Sequence, residues 1–300
     1  MSPEFEIQHG VLKKYHGIGG DVVIPEGVAS IDSAAFLNCT GLISITIPES
    51  VTSIGIPSFP NCTNLNKIIV SEHNAEYTDD DGVLYDKSLT KLMRCPPARK
   101  QITILKSVAS ISESALLNCS RLTEVILPEG VTSIGVLAFF GCTGLTSIRI
   151  PESVISIKPW AFKNCTNLYL RYLHYIFSPH TACSPWINQI LRMARMKQFS
   201  SEIPSSWIYR AVFEMYFSSP EEEKITAYIS ENITEMFKLF VDTRSIDAAK
   251  KILESGQFIT GQNIDSLIQY AIQQKAYEIQ VLLTDYKYQH FDNFGKDLKL

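Results

Sequence analysis

At 300 residues, 45% hydrophobic and 19% charged, the chain has ordinary globular composition and is long enough to bury a core without disulfide staples. Its net charge of -4 is spread evenly, with 13 Lys/Arg against 16 Asp/Glu through Leu168, which excludes the clustered cationic surface of a nucleic-acid binder. No run of roughly 18 apolar residues occurs, so no membrane insertion is expected.

The opening MSPEFEIQHGVLKKY lacks the apolar stretch of a secretory leader. The expected location is therefore cytoplasmic, or the cell surface or exterior if a leader was removed. The first glycine-rich piece, HGIGGD at 16–21, is followed by the strand-like VVIP and by no GKS/T, so it reads as a turn rather than a phosphate cradle.

One phrase then recurs five times, approximately IPExVxSIxxxAFxNCTxLxxIxI. Cys39 and Cys62 are 23 residues apart, as are Cys119, Cys142 and Cys165, and an insertion near 71–103 separates the two groups. A unit this short cannot bury its own apolar side, but stacked units share a core. Segments such as LISITI read as short strands, prolines mark the bends, and AFxNC forms a single helical turn at a corner. TDDDG at 78–82 has three carboxylates but lacks the later ligands of a calcium loop, and reads as the entry to a hairpin.

This pattern resembles the BspA-type leucine-rich repeats of bacterial and protozoan surface proteins, with FEIQHGVLKKYHGIGGDVVIPEGV similar to their N-terminal cap. YTDDDGVLYDKSLTKLMRCPP resembles a hairpin that interrupts such arrays. Departures are Leu116 for Phe, Gly141 for Asn, and 57–60 in the second copy.

A cysteine at one place in every copy suits metal, disulfide, nucleophile or packing. Stacking lines Cys39, Cys62, Cys119, Cys142 and Cys165 in a column interrupted by the insertion, where parallel thiols pack as small hydrophobes and do not converge on an ion. Asn38, Asn61, Asn118 and Asn164 are expected to satisfy backbone groups as a ladder, which also makes their NxT/S sequons structural. Trp160, in a column otherwise holding Ala34, Pro57, Ser114 and Leu137, is expected to join the two halves. Two exposed strand columns, Ser44, Lys67, Glu124 and Ser147, and Thr46, Ile69, Ile126 and Arg149, supply the expected contact surface: Ile69, Ile126, Arg149, Lys67 and Glu124.

Beyond Leu168 the phrase stops, and seven helices are predicted near 186–199, 206–217, 221–230, 233–241, 246–254, 264–273 and 277–285. Ser219 before Pro220 is the predicted N-cap of the third. A weaker repeat aligns FKLFVDTRSIDAAKKILESG with LIQYAIQQKAYEIQVLLTDY at an offset of 30, similar to degenerate ankyrin repeats without their TPLHxA signature. His174, His180 and Cys183 do not match a common zinc spacing.

The expected fold class is α+β, a leucine-rich-repeat β-solenoid over 1–168 followed by an all-α helical-hairpin domain over 169–300. No catalytic set, metal or cofactor is expected. The expected function is a non-enzymatic scaffold for an unknown protein partner. The alternatives are an adhesin for host or neighbouring-cell proteins, which the resemblance implies, and an effector with cryptic activity in the helical domain.

Overall fold

Each repeated phrase forms one turn of a solenoid, because its alternating β-branched residues place every second side chain inward on a layer that the next phrase covers. The computed structural model describes residues 4–172, 175–177, 187–196 and 205–291, and the chain divides into two units, Met1–Met196 and Lys197–Leu300.

The first unit opens with an antiparallel hairpin of β1 (Phe5–Gln8) and β2 (Val11–Tyr15). Strands β3 (Gly20–Val23) and β4 (Ser30–Ile31) then start two parallel ladders. The first ladder continues through β5 (Leu42–Ile47) and β7 (Lys67–Val70), and the second through β6 (Ser53–Ile54). Gly19 and Gly20 have positive φ where the chain passes Gly41; a Cβ on Gly19 would lie 2.2 Å from the Gly41 carbonyl carbon, so HGIGGD is a close crossing between layers.

The insertion is β8 (Tyr77–Asp80), β9 (Val83–Asp86) and β10 (Lys91–Arg94), antiparallel to one another in succession. Asp81 and Gly82 both have positive φ, as a tight two-residue hairpin turn requires. Asp79 uses its carboxylate on the backbone, accepting from Val70 N at 2.8 Å and Gly82 N at 3.3 Å.

Above the insertion, β11 (Gln101–Thr103) pairs in parallel with β13 (Glu124–Ile126), and β15 (Ser147–Ile150) with β17 (Tyr169–Tyr172), in two sheets separate from the first ladder. β12 (Ser110–Ile111), β14 (Ser133–Ile134) and β16 (Ser156–Ile157) extend the second from β10. β18 (Tyr175–Phe177) folds back antiparallel on β17. The result is about seven solenoid turns.

The solenoid thus continues past Leu168, where the repeated phrase was expected to end. Leu168, Leu170 and Tyr172 keep the inward alternation of Leu145, Ile148 and Ile150 and are all fully buried. Helix α1 (Ile187–Met196) belongs to the same unit and turns Ile190, Leu191 and Ala194 inward.

The second unit contains α2 (Ser205–Ser218), α3 (Glu223–Asp242), α4 (Ile246–Ser255), α5 (Ile264–Gln273) and α6 (Tyr277–His290). The two helices expected near 221–230 and 233–241 are one, because Ile225, Ile229, Ile233, Met236, Phe237 and Phe240 form a single buried stripe. The polar residues between them bond back into the helix: Ser230 Oγ donates to Thr226 O and Asn232 Nδ2 to Tyr228 O. Ser219 does not cap this helix; its N–H still completes α2 through Met215 O, and α3 starts after Glu222.

The turns of the helical repeat superpose at an offset of 31, one more than the core residues suggested. Thr243 N, Arg244 N and Ser245 N donate to Leu239, Val241 and Phe240 carbonyls, and Gln274 N, Lys275 N and Ala276 N donate to Tyr270, Ile272 and Ala271 carbonyls.

Candidate interaction surface

The corner of each turn leaves backbone groups without a ladder partner, and the repeated cysteine supplies one donor. Cys62 Sγ donates to Phe36 O at 3.1 Å, Cys142 Sγ to Leu116 O at 3.2 Å and Cys165 Sγ to Phe139 O at 2.9 Å. Each thiol thereby adds a second donor to a carbonyl of the turn below it, which already accepts the backbone N–H of the cysteine in its own turn, while filling a fully buried site. Cys39, in the lowest copy, is half-buried. Burial pushes the Cys62 thiol up to about 12, far from a nucleophile's range.

The asparagine column has a separate cause. Asn38, Asn61, Asn118 and Asn164 all adopt φ near +60°, the left-handed conformation that Asn and Gly tolerate best, and Gly141 takes the same place with φ 72°. Asn61 Nδ2 donates to Asn38 Oδ1 at 2.9 Å, and Asn118 Nδ2 to Asn61 Oδ1 at 3.3 Å. The asparagine ladder is therefore continuous across the insertion: the inserted turn has no such corner, and the corner of the second copy lies directly below that of the third.

Arg94 occupies the skipped corner and had no signal in the repeat pattern. Its side chain is fully buried, and it donates to Ser114 O at 2.7 Å and Leu117 O at 3.2 Å. Beside it, Cys95 N donates to Ala115 O, as Leu116 N does to Ala138 O and Phe139 N to Ala161 O, so Cys95 fills the phenylalanine column.

The outward side chains of the long strands form the exposed face. Asp21, Ser44 and Lys67 share one register below the insertion, with Val23, Thr46 and Ile69 in the next. Above it Gln101 pairs with Glu124 and Thr103 with Ile126, then Ser147 with Tyr169 and Arg149 with Arg171. Val23, Ile69 and Ile126 are 65%, 42% and 55% exposed. The hairpin turn divides the face: Gly82 O accepts from Ile68 N, and Arg99 ties Asp81 to Asn66 O. Tyr169 and Arg171 were missed because the repeat was ended at Leu168; the alternation through Leu170 was the available signal.

Trp160 lies at the corner of the last copy, 60% exposed in a left-handed conformation with φ 59°, with Lys163 Nζ 5.8 Å from its ring centre. The end of the solenoid is closed by Arg195 on α1. It donates to Tyr172 Oη at 2.7 Å and to the Glu152 and Val154 carbonyls at 2.6 and 3.3 Å. In the turns below, Ser50 Oγ serves Val28 O and Ser153 Oγ serves Val131 O, so Arg195 replaces the serine of a turn that does not follow. His174, His180 and Cys183 lie outside the described residues.

The sequence pattern described as the BspA type leucine rich repeat region matches residues 18–93 and 91–174, in six copies. Among solved structures, a leucine-rich repeat protein from Eubacterium ventriosum is 34% identical, with 51% of this chain and 42% of that one covered and a TM-score of 0.47. The pneumococcal vaccine antigen PcpA is 23% identical, covering 51% and 47%, with a TM-score of 0.43. A leucine rich cell surface protein from Faecalibacterium prausnitzii is 27% identical, covering 51% and 59%, with a TM-score of 0.38. The chain thus spans less than two thirds of the length of each. No curated protein matches it.

Proposed function

The chain belongs to the BspA-type leucine-rich repeat family, and from that membership we propose that it is a non-enzymatic scaffold binding a protein partner on the exposed face of its solenoid. Leucine-rich repeat proteins are in general protein-interaction or surface proteins. The observation that carries the proposal is the outward side chains held in register within each sheet, with Val23 and Ile69 below the hairpin turn and Ile126 above it apolar and exposed on strands whose other faces are core. Rigid strands hold these groups at fixed spacing, which lowers the ordering cost of binding an extended partner. Lys67 and Glu124 flank the apolar groups and set the partner's register.

A photo-crosslinking amino acid placed at position 69 or 126 of the full chain tests this in native cells. Adducts from those positions and none from position 281 on α6 are expected; adducts from position 281 alone would count against the face. The helical unit is proposed to be an ankyrin-like stack of helix pairs, a reading supported by the repeated turns at 243–245 and 274–276. The partner is proposed to be met in the cytoplasm. A surface adhesin is the second reading, favoured by the family, and labelling of the chain on intact cells by a membrane-impermeant reagent would establish it.

A further inference from the structure

The upper part of the exposed face carries an arrangement that folding alone does not favour. Arg149 on β15 and Arg171 on β17 are register partners on adjacent parallel strands, with both side chains on the solvent side. Neighbouring strands are about 4.8 Å apart, and like charges placed opposite each other are destabilising. Arg149 has a weak exposed partner, Glu129 at 3.5 Å, with the two side chains 73% and 69% exposed. Among the described residues Arg171 makes no ion pair. Tyr169, two residues before Arg171 and therefore on the same face, is 50% exposed. Ile126 and Thr103 continue the file on the adjoining strands.

We propose that this end of the face binds an acidic, extended polypeptide segment whose alternate carboxylates, which share one face of the segment, are taken by Arg149 and Arg171, their aliphatic stems lying beside Ile126 and Tyr169. The inference rests on the scaffold reading and specifies its partner's chemistry. Guanidinium groups match carboxylates bidentately, and a bound acid relieves the repulsion that the empty face carries. The four strands from Thr103 to Arg171 span about 14 Å, which suits an extended segment of roughly five residues. Charge complementarity favours a peptide over a polyanion: Glu124 and Glu129 lie on or beside the same face and the chain is net negative, a poor field for nucleic acid or an anionic membrane.

The test is fluorescence anisotropy on the full chain with a labelled peptide of about ten residues alternating Glu and Val, beside its Gln-for-Glu counterpart. The acidic peptide is expected to bind at least about 10-fold tighter, to lose that margin in the double variant Arg149→Gln/Arg171→Gln, and to weaken several-fold between about 50 and 500 mM salt. Arg171→Lys keeps the charge but not the fork and is expected to lose a smaller part of the margin. Thermal melting is the fold control, and relief of repulsion predicts a melting temperature for Arg171→Gln no lower than that of the parent at low salt. Equal binding of the two peptides, sensitive to Ile126→Asp, would overturn the acidic partner and leave the scaffold intact. Binding of neither peptide, or preferential binding of an RNA oligomer or of anionic vesicles, would also overturn it.

Discussion

The solenoid and the helical unit are both built by repetition, yet one repeats in words and the other only in outline. In the solenoid, layers pair backbone to backbone along short strands, and each corner leaves donors and acceptors that particular side chains must meet. Cysteine is repeated because a small apolar group with one donor fits above the carbonyls of Phe36, Leu116 and Phe139. Asparagine is repeated because the corner needs a left-handed residue with an amide facing the next amide. A helix satisfies its backbone internally, so stacked helix pairs ask only for apolar volume on the right faces. Between the two helical turns, the single Arg244 donates to Val241 O in its own turn and to Gln274 O in the next.

The largest test of this contrast is the phenylalanine column. Phe139→Ala removes a fully buried ring whose centre is 5.1 Å from that of Phe162, and should destabilise the solenoid by about 3–5 kcal/mol. Met236→Leu in α3 should cost less than about 1.5 kcal/mol, since that site asks for volume alone. Urea unfolding gives the magnitude, and hydrogen exchange assigns the loss to a unit. Comparable losses at the two sites would break the comparison.

Next come the bridging arginines. Arg94→Ala leaves the Ser114 and Leu117 carbonyls without their buried donor and should cost about 3 kcal/mol, whereas Arg244→Ala, at an exposed turn, should cost about 1 kcal/mol. Smaller still is the corner conformation. Asn118→Ala should cost about 1–2 kcal/mol and Asn118→Gly within about 0.5 kcal/mol, because only alanine meets the left-handed penalty. In the helical turn, Lys275→Gly should stabilise by about 1 kcal/mol, since its φ of 54° serves no repeated side-chain role.

The smallest effect is alkaline. Cys62 is held up to about 12 by burial, against an ordinary 9.0, so the unfolded chain releases this proton first as pH rises. Its contribution to stability is complete below 9 and declines above it, and melting of the solenoid should move to lower temperature as pH rises from about 9 to 10. Cys62 lies in the solenoid, so this alkaline loss should fall on that unit and not on the helical one.

Much of the solenoid was legible because its period is a physical necessity: a 23-residue layer without an identical neighbour has nowhere to hide Val28, Ile31, Phe36 and Leu42, and their columns announce the stack. The exposed file of Ile69, Ile126 and Arg149 followed from the same register. Arg94 was not legible, since a lone arginine in an irregular insertion belongs to no column until the skipped corner exists. Tyr169 and Arg171 were hidden for a lesser reason, the loss of the phrase after Leu168 while its alternation continued.

From sequence alone came the repeat length, the inward columns, the left-handed asparagines' place and the outward face, because each depends only on which residues recur at one spacing. Only the tertiary structure decided how the insertion is absorbed, that Arg195 ends the stack, and that Arg149 and Arg171 stand side by side. Those depend on which layers become neighbours in space, and a backbone group's missing partner is visible only after the neighbouring layer is in place.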